Sequence, residues 1–488
     1  MRKRLLASVL SVATAVTMLA GCGSSTASST ASDAASKAAS TTATASTTAS
    51  TAAASTAATA SSDGTELVVA SVNNDPFMAL EKHSDEFTKE TGIKVKFEIL
   101  SENEVRAKIQ QDVGLGGGNY DLVTLGTTDM ATYLNSKWTI SLDDEFAKMN
   151  DADKKTYNTD DIFPSVLQSC KDVTTGKLAA LPFYSESTMI CYNKEIFDAL
   201  NLKMPDNPTW DDIKDLAQKC DGYTGNGYNN VAGIAIRGKS GYGENQYIFS
   251  SIMNSFGGQY YDKDWNTTYD SEEVRNAWKY YKDLLGYAED SPTTCGYTEC
   301  LNLFAQGQAA IYYDATVSAG TFEADASAVK GKVGYAPAPS EKAALSSTIG
   351  GWGMAITAGS KHQDEAFKFL TWATSSDYIK LVGDSDGWTT VPSGTRKSLY
   401  TNTSYTAVAP FAEMTAKSIE NAKFDHPAIG ETPYVGTSLP NLPEYSSWGT
   451  TLGEELSAYV AGSEDLDTAI GKCKDAIDTA AVDGGYRS

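Results

Sequence analysis

Residues 233–240, GIAIRGKS, have the spacing G-x-x-x-x-G-K-[ST] of a phosphate-binding loop. In such a loop Lys239 would approach the β- and γ-phosphates of a nucleotide, and the hydroxyl of Ser240 would bind magnesium. The chemistry also requires an open nest of backbone N–H groups between the glycines and a helix that begins near the lysine. The motif therefore raises a nucleotide site as a hypothesis that its surroundings must support.

Those surroundings argue against a nucleotide site. The Ile-Ala-Ile between the two glycines favours a strand rather than a phosphate nest. Gly241 and Gly243 would disrupt a helix directly after the motif, and Glu244 is a better helix start. We predict instead a strand that ends at Arg237, a glycine-rich turn, and a helix N-terminus whose free N–H groups can meet hydroxyls.

A ligand rich in hydroxyls calls for carboxylate, amide and guanidinium groups, which form charge-assisted hydrogen bonds, and for aromatic planes that cover C–H faces. Such side chains stand in the predicted polar turn, at the ends of other predicted strands, and between glycines. The candidate ligand-binding residues are Asn73, Asn74, Thr127, Asp129, Tyr184, Glu186, Arg237, Tyr242, Glu244, Asn245, Asp314, Trp352 and Trp388.

Each candidate also has a structural alternative. Asn, Thr and Asp at strand ends commonly cap helices, and Asp314 could cap the helix that follows it. Arg237 and Glu244 could form an internal ion pair. Large aromatic residues are usually mostly buried, so Trp352 and Trp388 could belong to the core, although their glycine neighbours favour a cleft.

The elements that must position these residues alternate between strands and helices, which indicates an α/β fold. Ligands of open α/β sheets bind beyond the carboxyl ends of the strands, where several candidates lie. A chain of 488 residues is too long for one ordinary core and suggests at least two domains. The first predicted strands cover residues 65–74, 93–100 and 120–130.

The N-terminal segment is predicted to be a targeting signal rather than part of the fold. A basic start and an apolar run lead to LAGC, which resembles the cleavage site of bacterial lipoproteins, so we predict a signal peptide at 1–21 and lipidation of Cys22. An ordinary secretory signal is the alternative. Residues 22–62 are rich in Ser, Thr and Ala and are predicted to be a tether. The expected location is the extracellular face of the cytoplasmic membrane, with attachment through the lipid only.

The net charge and the spacing of the cysteines limit which partners, metals and disulfides are expected. The formal charge of −23 repels phosphate backbones, so we expect no nucleic acid partner. The absence of a C-x-x-C motif gives no support for a zinc site, and no metal or cofactor is expected. Cys295 and Cys300 are close enough in sequence to close a short disulfide loop, with two free thiols as the alternative.

Several runs of this sequence resemble family 1 extracellular solute-binding proteins of ABC importers. The similarity extends from about Glu66 to the C-terminus and is greatest to the branch that binds sorbitol and mannitol. Its more specific runs are RGKSGYGEN, YYDATVSAG and PYVGTSLPNLPEY; YDLVTLGT and GKLAALPFYSES also match, and KFLTWATS is shared by many sugar-binding proteins.

The resemblance implies a periplasmic-binding-protein-like fold of two interrupted α/β lobes that are joined by hinge strands and close on a ligand in the cleft. The chain is expected to cross between the lobes near 182–185, 312–314 and 350–353. The implied division places 63–183 and 313–350 in lobe 1, and 184–312 and 351–488 in lobe 2.

The resemblance further implies a monomeric receptor, not an enzyme, that binds a sugar alcohol or related sugar and delivers it to the permease subunits of an ABC importer. The alternative is a secreted, lipid-anchored glycosidase, which would need two carboxylates facing each other across a cleft. The sequence contains only three histidines and no H-E-x-x-H motif, and the predicted lipid anchor and tether also favour a receptor.

Overall fold

The computed structural model describes residues 64–172 and 175–487. The predicted signal peptide and the whole predicted tether lie outside the described residues. Within the described part, no helix combines the length and apolar character needed to cross a membrane.

The described chain builds two five-stranded sheets, one for each of two lobes. The first sheet has the order β2-β1-β3-β10-β4 and the second has the order β6-β7-β8-β5-β9. The strands are β1 Glu66–Val72, β2 Lys94–Leu100, β3 Leu122–Gly126, β4 Leu181–Glu186, β5 Thr188–Asn193, β6 Tyr223–Gly225, β7 Tyr228–Ala235, β8 Ala309–Ala315, β9 Val333–Pro337 and β10 Gly350–Ile356.

Helices cover both sheets, as the alternating pattern predicts. They are α1 Asp75–Thr91, α2 Glu102–Gly114, α3 Met130–Asn135, α4 Leu142–Lys148, α5 Asp151–Tyr157, α6 Pro164–Ser169, α7 Lys194–Ala199, α8 Trp210–Cys220, α9 Asn245–Phe256, α10 Glu272–Leu285, α11 Tyr297–Ala305, α12 Ser318–Phe322, α13 Gln363–Ala373, α14 Ser376–Asp386, α15 Thr403–Thr406, α16 Ala412–Asn421, α17 Tyr445–Ala461 and α18 Leu466–Asp483.

The first sheet follows the predicted strand and helix pattern closely. β1 pairs in parallel with β2 and β3, and α1 and α2 connect these strands. The side chain of Asn74 caps α1 by accepting a hydrogen bond from the Phe77 N–H, and Gly92 ends the helix in the left-handed region at φ 78°. The late strand β10 enters antiparallel between β3 and β4. The carboxyl ends of β1 and β3 therefore meet at one edge of this sheet.

The second sheet is buried on both faces. Along β5, Met189 and Cys191 pack in the hydrophobic cluster that continues into the first lobe, whereas Ile190 packs in a second cluster. The second cluster includes apolar side chains of α8, α9, α10, α17 and α18. The central strand β8, AAIYYDA, is buried at every position. Because β8 lies between β7 and β5, any polar group on it must find its partner inside the protein.

The sheet membership revises the predicted division into lobes. β8 and β9 belong to the second sheet, although the prediction placed 313–350 in lobe 1, and β10 belongs to the first, although 351–488 was placed in lobe 2. The expected crossing at 312–314 is therefore wrong, because these residues lie within β8. Hydrophobic patterns locate a buried strand but do not show which sheet it joins, since both sheets have apolar central strands.

The chain crosses between the sheets near the two other predicted positions. β4 ends in the first sheet and β5 begins in the second, with Ser187 between them. Ser187 and Thr316 hold this crossing, since the Ser187 N–H donates to Thr316 Oγ1 and the Thr316 N–H donates to the Ser187 carbonyl. A second crossing joins β9 to β10, and a third lies between α14 and α17. Gly350 pairs with Glu186, so two crossings lie side by side.

The glycines of the GIAIRGKS run serve packing rather than phosphate binding. Gly233 lies within β7, and a Cβ atom there would come within 2.1 Å of the Ala217 carbonyl oxygen of α8. A Cβ at Gly238 would come within 2.4 Å of the Pro292 carbonyl oxygen. α9 begins at Asn245 rather than near Lys239, as predicted. The run is therefore a strand and a turn that pack closely against neighbouring backbone.

All cysteines of the described residues are unpaired and buried. Cys295 and Cys300 lie at the start of α11, and a hydrogen bond between their thiols, together with burial, raises the pKa of Cys300 well above its ordinary value. Of the two predicted alternatives, the structure has the pair of free thiols.

The substitution Gly233→Ala is expected to destabilise the protein, because its methyl group would overlap backbone of α8 that cannot move aside freely. Overpacking of this kind costs about 1–3 kcal/mol. Urea unfolding followed by circular dichroism measures the loss.

Gly471→Ala is the matched control. Gly471 lies inside α18, and nothing stands within 4 Å of a Cβ there, so the alanine should stabilise the helix by roughly 0.5–1 kcal/mol. Unchanged stability of Gly233→Ala would contradict the packing role of this glycine.

Candidate ligand-binding cleft

A buried ion pair between Arg237 and Asp314 forms the base of the site in the second lobe. β7 and β8 run in parallel with Ala235 beside Tyr312, so Arg237 and Asp314, each two residues further on, become neighbours. Arg237 donates from Nε to Asp314 Oδ2 at 2.7 Å and from Nη2 to Asp314 Oδ1 at 2.6 Å. Asp314 is 0% exposed and Arg237 is 6% exposed. No local sequence pattern predicts this pair, since both residues could equally have had other partners.

The pair fixes the turn that follows β7. Arg237 Nη1 donates to the Gly243 carbonyl at 2.8 Å, and the rings of Tyr247 and Tyr297 lie with centroids 4.8 and 4.9 Å from the guanidinium carbon. Burial opposes the charge on Arg237, but the charge and hydrogen bonds of Asp314 raise its pKa well above the ordinary value. The guanidinium therefore stays charged, and its contacts hold this wall of the cleft in place.

Glu244 stands at the N-terminus of α9, as predicted, and joins this wall. Its Oε2 accepts a hydrogen bond from the Tyr297 N–H at 3.0 Å, and it lies 3.9 Å from Arg237 Nη1. Lys239 Nζ lies 3.7 Å from Glu244 Oε1 and is half exposed. The side chain of Glu244 is 29% exposed, so it can reach a ligand as well as the neighbouring helix.

Glu186 stands at the end of β4, beside the crossing into the second lobe. Burial raises its pKa from 4.5 to about 7; the charge of Arg237 and a hydrogen bond from Tyr247 oppose the shift, and the charge of Asp314 adds to it. Arg237 is already neutralised by Asp314, so it cannot fully compensate a second buried carboxylate. Glu186 is therefore protonated in part of the molecules at neutral pH and can both donate and accept hydrogen bonds.

The first lobe contributes a second charged group, centred on Arg106 of α2. Arg106 Nη2 donates to Glu102 Oε1 at 3.0 Å one helical turn away, and Arg106 forms an ion pair with the predicted residue Asp129. The Trp352 ring lies 5.0 Å from the guanidinium carbon. Trp352 pairs with Gly126 across β10 and β3, so the indole lies at the carboxyl end of β3. A Cβ at Gly126 would come within 3.0 Å of Arg106 Nη2, which explains the glycine there.

Tyr242 brings the two lobes together. It lies in the turn before α9, packs edge-on against Tyr445 of the second lobe, and has its ring centroid 6.0 Å from the Arg106 guanidinium carbon. Tyr184 adds a hydroxyl on the hinge side, which accepts a hydrogen bond from the Asn74 side-chain amide at 3.1 Å. Predicted residues from distant parts of the sequence thus converge between the lobes.

Two predicted residues, Asn245 and Trp388, have side-chain contacts that favour other roles. Asn245 is buried and donates to the Gly453 carbonyl and Ser457 Oγ of α17, which is a helix-packing contact. Trp388 packs against Gly383 of α14, where a Cβ would come within 2.6 Å of the indole. Asn73 and Thr127 are tied in place through their backbone N–H groups, to Leu100 and Gly351. Contact of these four with a ligand stays a prediction.

Four further residues near these groups were not predicted from the sequence: Glu102, Arg106, Tyr247 and Tyr297. Glu102 and Arg106 have the spacing of an ordinary surface pair on a helix, so no local pattern marks them as cleft residues. Tyr247 lies one turn after Glu244 in α9, and Tyr297 begins α11. Tyr247 and Tyr297 contact Arg237, and Arg106 contacts Tyr242 of the opposite lobe; only the fold creates these contacts.

A cleft of charged and aromatic groups between two α/β lobes defines a receptor for small solutes. The family model described as bacterial extracellular solute-binding protein matches residues 43–380 of this chain. The chain belongs to this family, and the family resemblance seen in the sequence is confirmed. The two-lobed α/β fold is confirmed as well. The protein is a binding receptor and not an enzyme, and the glycosidase alternative has no support.

Several individual proteins of known name or structure are similar to this chain. The chain is 34% identical over 425 residues to a mannitol-binding protein of Pseudomonas aeruginosa, covering 86% of this chain and 94% of the relative. It is similar to the crystal structure of an ABC transporter solute-binding protein of Agrobacterium vitis S4 with bound D-mannitol, with a TM-score of 0.78, 37% identity, and coverage of 87% of this chain and 100% of that chain. A solute-binding protein of Agrobacterium radiobacter K84 in complex with ribitol gives a TM-score of 0.73 and 26% identity, with 86% and 99% covered.

The partial protonation of Glu186 predicts a pH dependence of stability. Between pH 4.5 and about 7 the folded protein holds a proton that the unfolded chain has lost, so stability falls as the pH rises through this window. Glu186→Gln removes the titration. The variant should match the wild type at pH 4.5 and exceed it by up to about 3 kcal/mol at pH 8, since one pKa unit corresponds to about 1.4 kcal/mol.

Thermal unfolding of both proteins from pH 4.5 to 8 measures this difference. Glu81→Gln makes the same chemical change at an exposed position of α1 and should show no such divergence. A constant offset between the wild type and Glu186→Gln across the pH range would refute the assignment.

Proposed function

We propose that the protein is the substrate-binding receptor of an ABC importer and that it binds a sugar alcohol, of the sorbitol or mannitol type, or a related sugar. One observation carries the proposal. The Arg106 guanidinium, which Asp129 and Trp352 contact in the first lobe, lies 6.0 Å from the ring centroid of Tyr242 in the second lobe. The relatives named for mannitol and ribitol support the same class of ligand.

The chemistry of these groups suits an acyclic polyol. Each carbon of a sugar alcohol carries a hydroxyl that both donates and accepts, so its binding site must offer carboxylates and guanidinium groups in close alternation. The chain of C–H groups between the hydroxyls packs on aromatic faces, which Trp352 and Tyr242 can supply. Binding in a closed cleft removes water from every hydroxyl, and each then needs a protein partner.

The charge balance of the cleft favours a neutral ligand over an anionic one. The carboxylates outnumber the basic groups, and both guanidinium groups already have carboxylate partners. A sugar acid or sugar phosphate would therefore add a charge that no free cation balances. The carboxylates are Glu102, Asp129, Glu186, Glu244 and Asp314, and the basic groups are Arg106, Arg237 and Lys239.

The proposal includes the location and the partners. Cleavage before Cys22 and lipidation of its thiol would hold the receptor at the extracellular face of the cytoplasmic membrane, with residues 22–62 as the tether. As a monomer, the receptor would deliver its ligand to the permease subunits when the lobes close and reopen about their connections. The crossings at Ser187 and between β9 and β10 lie close together, which suits a hinge.

The purified soluble body, without residues 1–62, is expected to bind a sugar alcohol. A thermal-shift screen of hexitols, pentitols, hexoses and disaccharides should give its largest increase in melting temperature with a hexitol such as D-mannitol or D-sorbitol, because a bound ligand stabilises the folded state. Isothermal titration calorimetry then measures the Kd.

D-gluconate is the matched control, since it differs from D-sorbitol by a carboxylate in place of a terminal CH₂OH. It should bind at least roughly tenfold more weakly, because each factor of ten corresponds to about 1.4 kcal/mol and the uncompensated charge costs more than this. Binding of a disaccharide with no response to any sugar alcohol would overturn the polyol assignment.

Cys22→Ala is expected to prevent membrane attachment. The wild type expressed in a Gram-positive host should fractionate with membranes and require detergent for release, whereas the variant should appear in the medium or stay unprocessed. Immunoblots of the membrane and medium fractions distinguish these results. Detergent-requiring attachment of the variant would disprove the lipid anchor.

A further inference from the structure

Arg106 occupies a place in the cleft that no pattern in the sequence marks. It projects from α2 of the first lobe, and its guanidinium carbon lies 5.0 Å from the centroid of Trp352 and 6.0 Å from that of Tyr242. Trp352 belongs to the first sheet, whereas Tyr242 packs with the helices of the second lobe. The guanidinium thus contacts an aromatic face in each lobe.

The guanidinium is held firmly but keeps an unused donor. Glu102 accepts from Nη2 at 3.0 Å, and the carboxylate of Asp129 pairs with the group from the other side. Arg106 Nε is buried and lacks a hydrogen-bond partner among the described residues, whereas Nη1 lies against Asp129 Oδ2. The side chain is 19% exposed. A buried N–H group without a hydrogen-bond acceptor costs free energy. A ligand oxygen placed here would therefore be bound strongly.

The other buried arginine of the cleft differs in this respect. Arg237 donates from Nε and Nη2 to Asp314 and from Nη1 to the Gly243 carbonyl, and both of its rings, Tyr247 and Tyr297, come from the second lobe. Its donors are therefore used inside one lobe. The contrast separates a structural guanidinium from one that is available to a ligand and to the opposite lobe.

We propose that Arg106 is a specificity-determining residue of the receptor, which donates to ligand hydroxyls and, through Tyr242, couples ligand binding to closure of the lobes. This inference rests on the proposed function and adds Arg106 of α2 to the proposed binding site. A hydroxyl-rich ligand beside Trp352 supplies the oxygen acceptor that Nε lacks. With the ligand in place, the guanidinium is fixed against Tyr242, and the closed form gains a contact between a cation and a ring.

Arg106→Lys and Arg106→Gln test the donor role by calorimetry with D-mannitol as the probe. Lysine keeps the charge but loses the planar group with its Nε donor, so both variants should bind roughly tenfold to a hundredfold more weakly, the loss expected for a charged hydrogen bond. Lys108→Ala is the control on the same helix, since Lys108 pairs with Glu98 and does not contact the cleft groups. It should bind like the wild type.

Tyr242→Leu tests the coupling to closure. Loss of the ring should raise the dissociation rate of D-mannitol several-fold, since the closed form loses its contact with Arg106. In the double variant Arg106→Gln/Tyr242→Leu the losses should be less than additive, because both residues act through one contact. Tyr459→Leu is the control. Its ring lies in the second lobe with the centroid 4.2 Å from Lys282 Nζ, so its loss should leave the dissociation rate unchanged.

The outcomes separate this inference from the proposed function. If the wild type binds D-mannitol and the Arg106 variants bind it equally well while folding normally, Arg106 has no role in recognition. Additive losses in the double variant would overturn the coupling. Failure of the wild type with every sugar alcohol would overturn the proposed function itself, and the inference would fall with it. Weakened binding in Arg106→Lys with a normal melting temperature supports the inference.

Discussion

The Arg237–Asp314 ion pair is the interaction on which the cleft depends. Asp314 lies on the central strand of a sheet that is covered on both faces, where a lone carboxylate would be very costly. Two hydrogen bonds from Arg237 compensate it, and this fixes the direction of the chain at the end of β7. The turn from Gly238 to Glu244, the start of α9 and the ring of Tyr297 are then arranged around the guanidinium.

This pair also determines the electrostatics of its neighbours. Burial raises the pKa of Glu186, and Arg237, which Asp314 already neutralises, offsets this rise only in part, so Glu186 stays partly protonated near neutral pH. Glu244 lies 3.9 Å from the same guanidinium and instead uses the Tyr297 N–H. The wall of the second lobe is therefore rich in acceptors and has no spare cation, which suits a ligand made of hydroxyls.

The first lobe also has a guanidinium paired with carboxylates, but this guanidinium is more exposed than that of Arg237. Glu102 and Asp129 hold Arg106 at the cleft surface, and Trp352 supports the face of its guanidinium. Because β10 carries Trp352 back into the first sheet after the second sheet is complete, the two walls are built from interleaved segments. In the proposed closure, the lobes move about the crossings, which lie close to Glu186 and Gly350.

The sequence by itself determined the local features. The strands and helices of the first sheet, the strand within GIAIRGKS, the start of α9 and the family resemblance follow from patterns within short windows. The tertiary structure alone decided which sheet β8 and β10 join, that Asp314 pairs with Arg237, and that Arg106 faces Tyr242. These facts depend on residues that are far apart in the chain, and the same side chains would satisfy local rules as caps, surface pairs or core rings. These alternative roles are excluded only by strand pairing and burial in the folded protein.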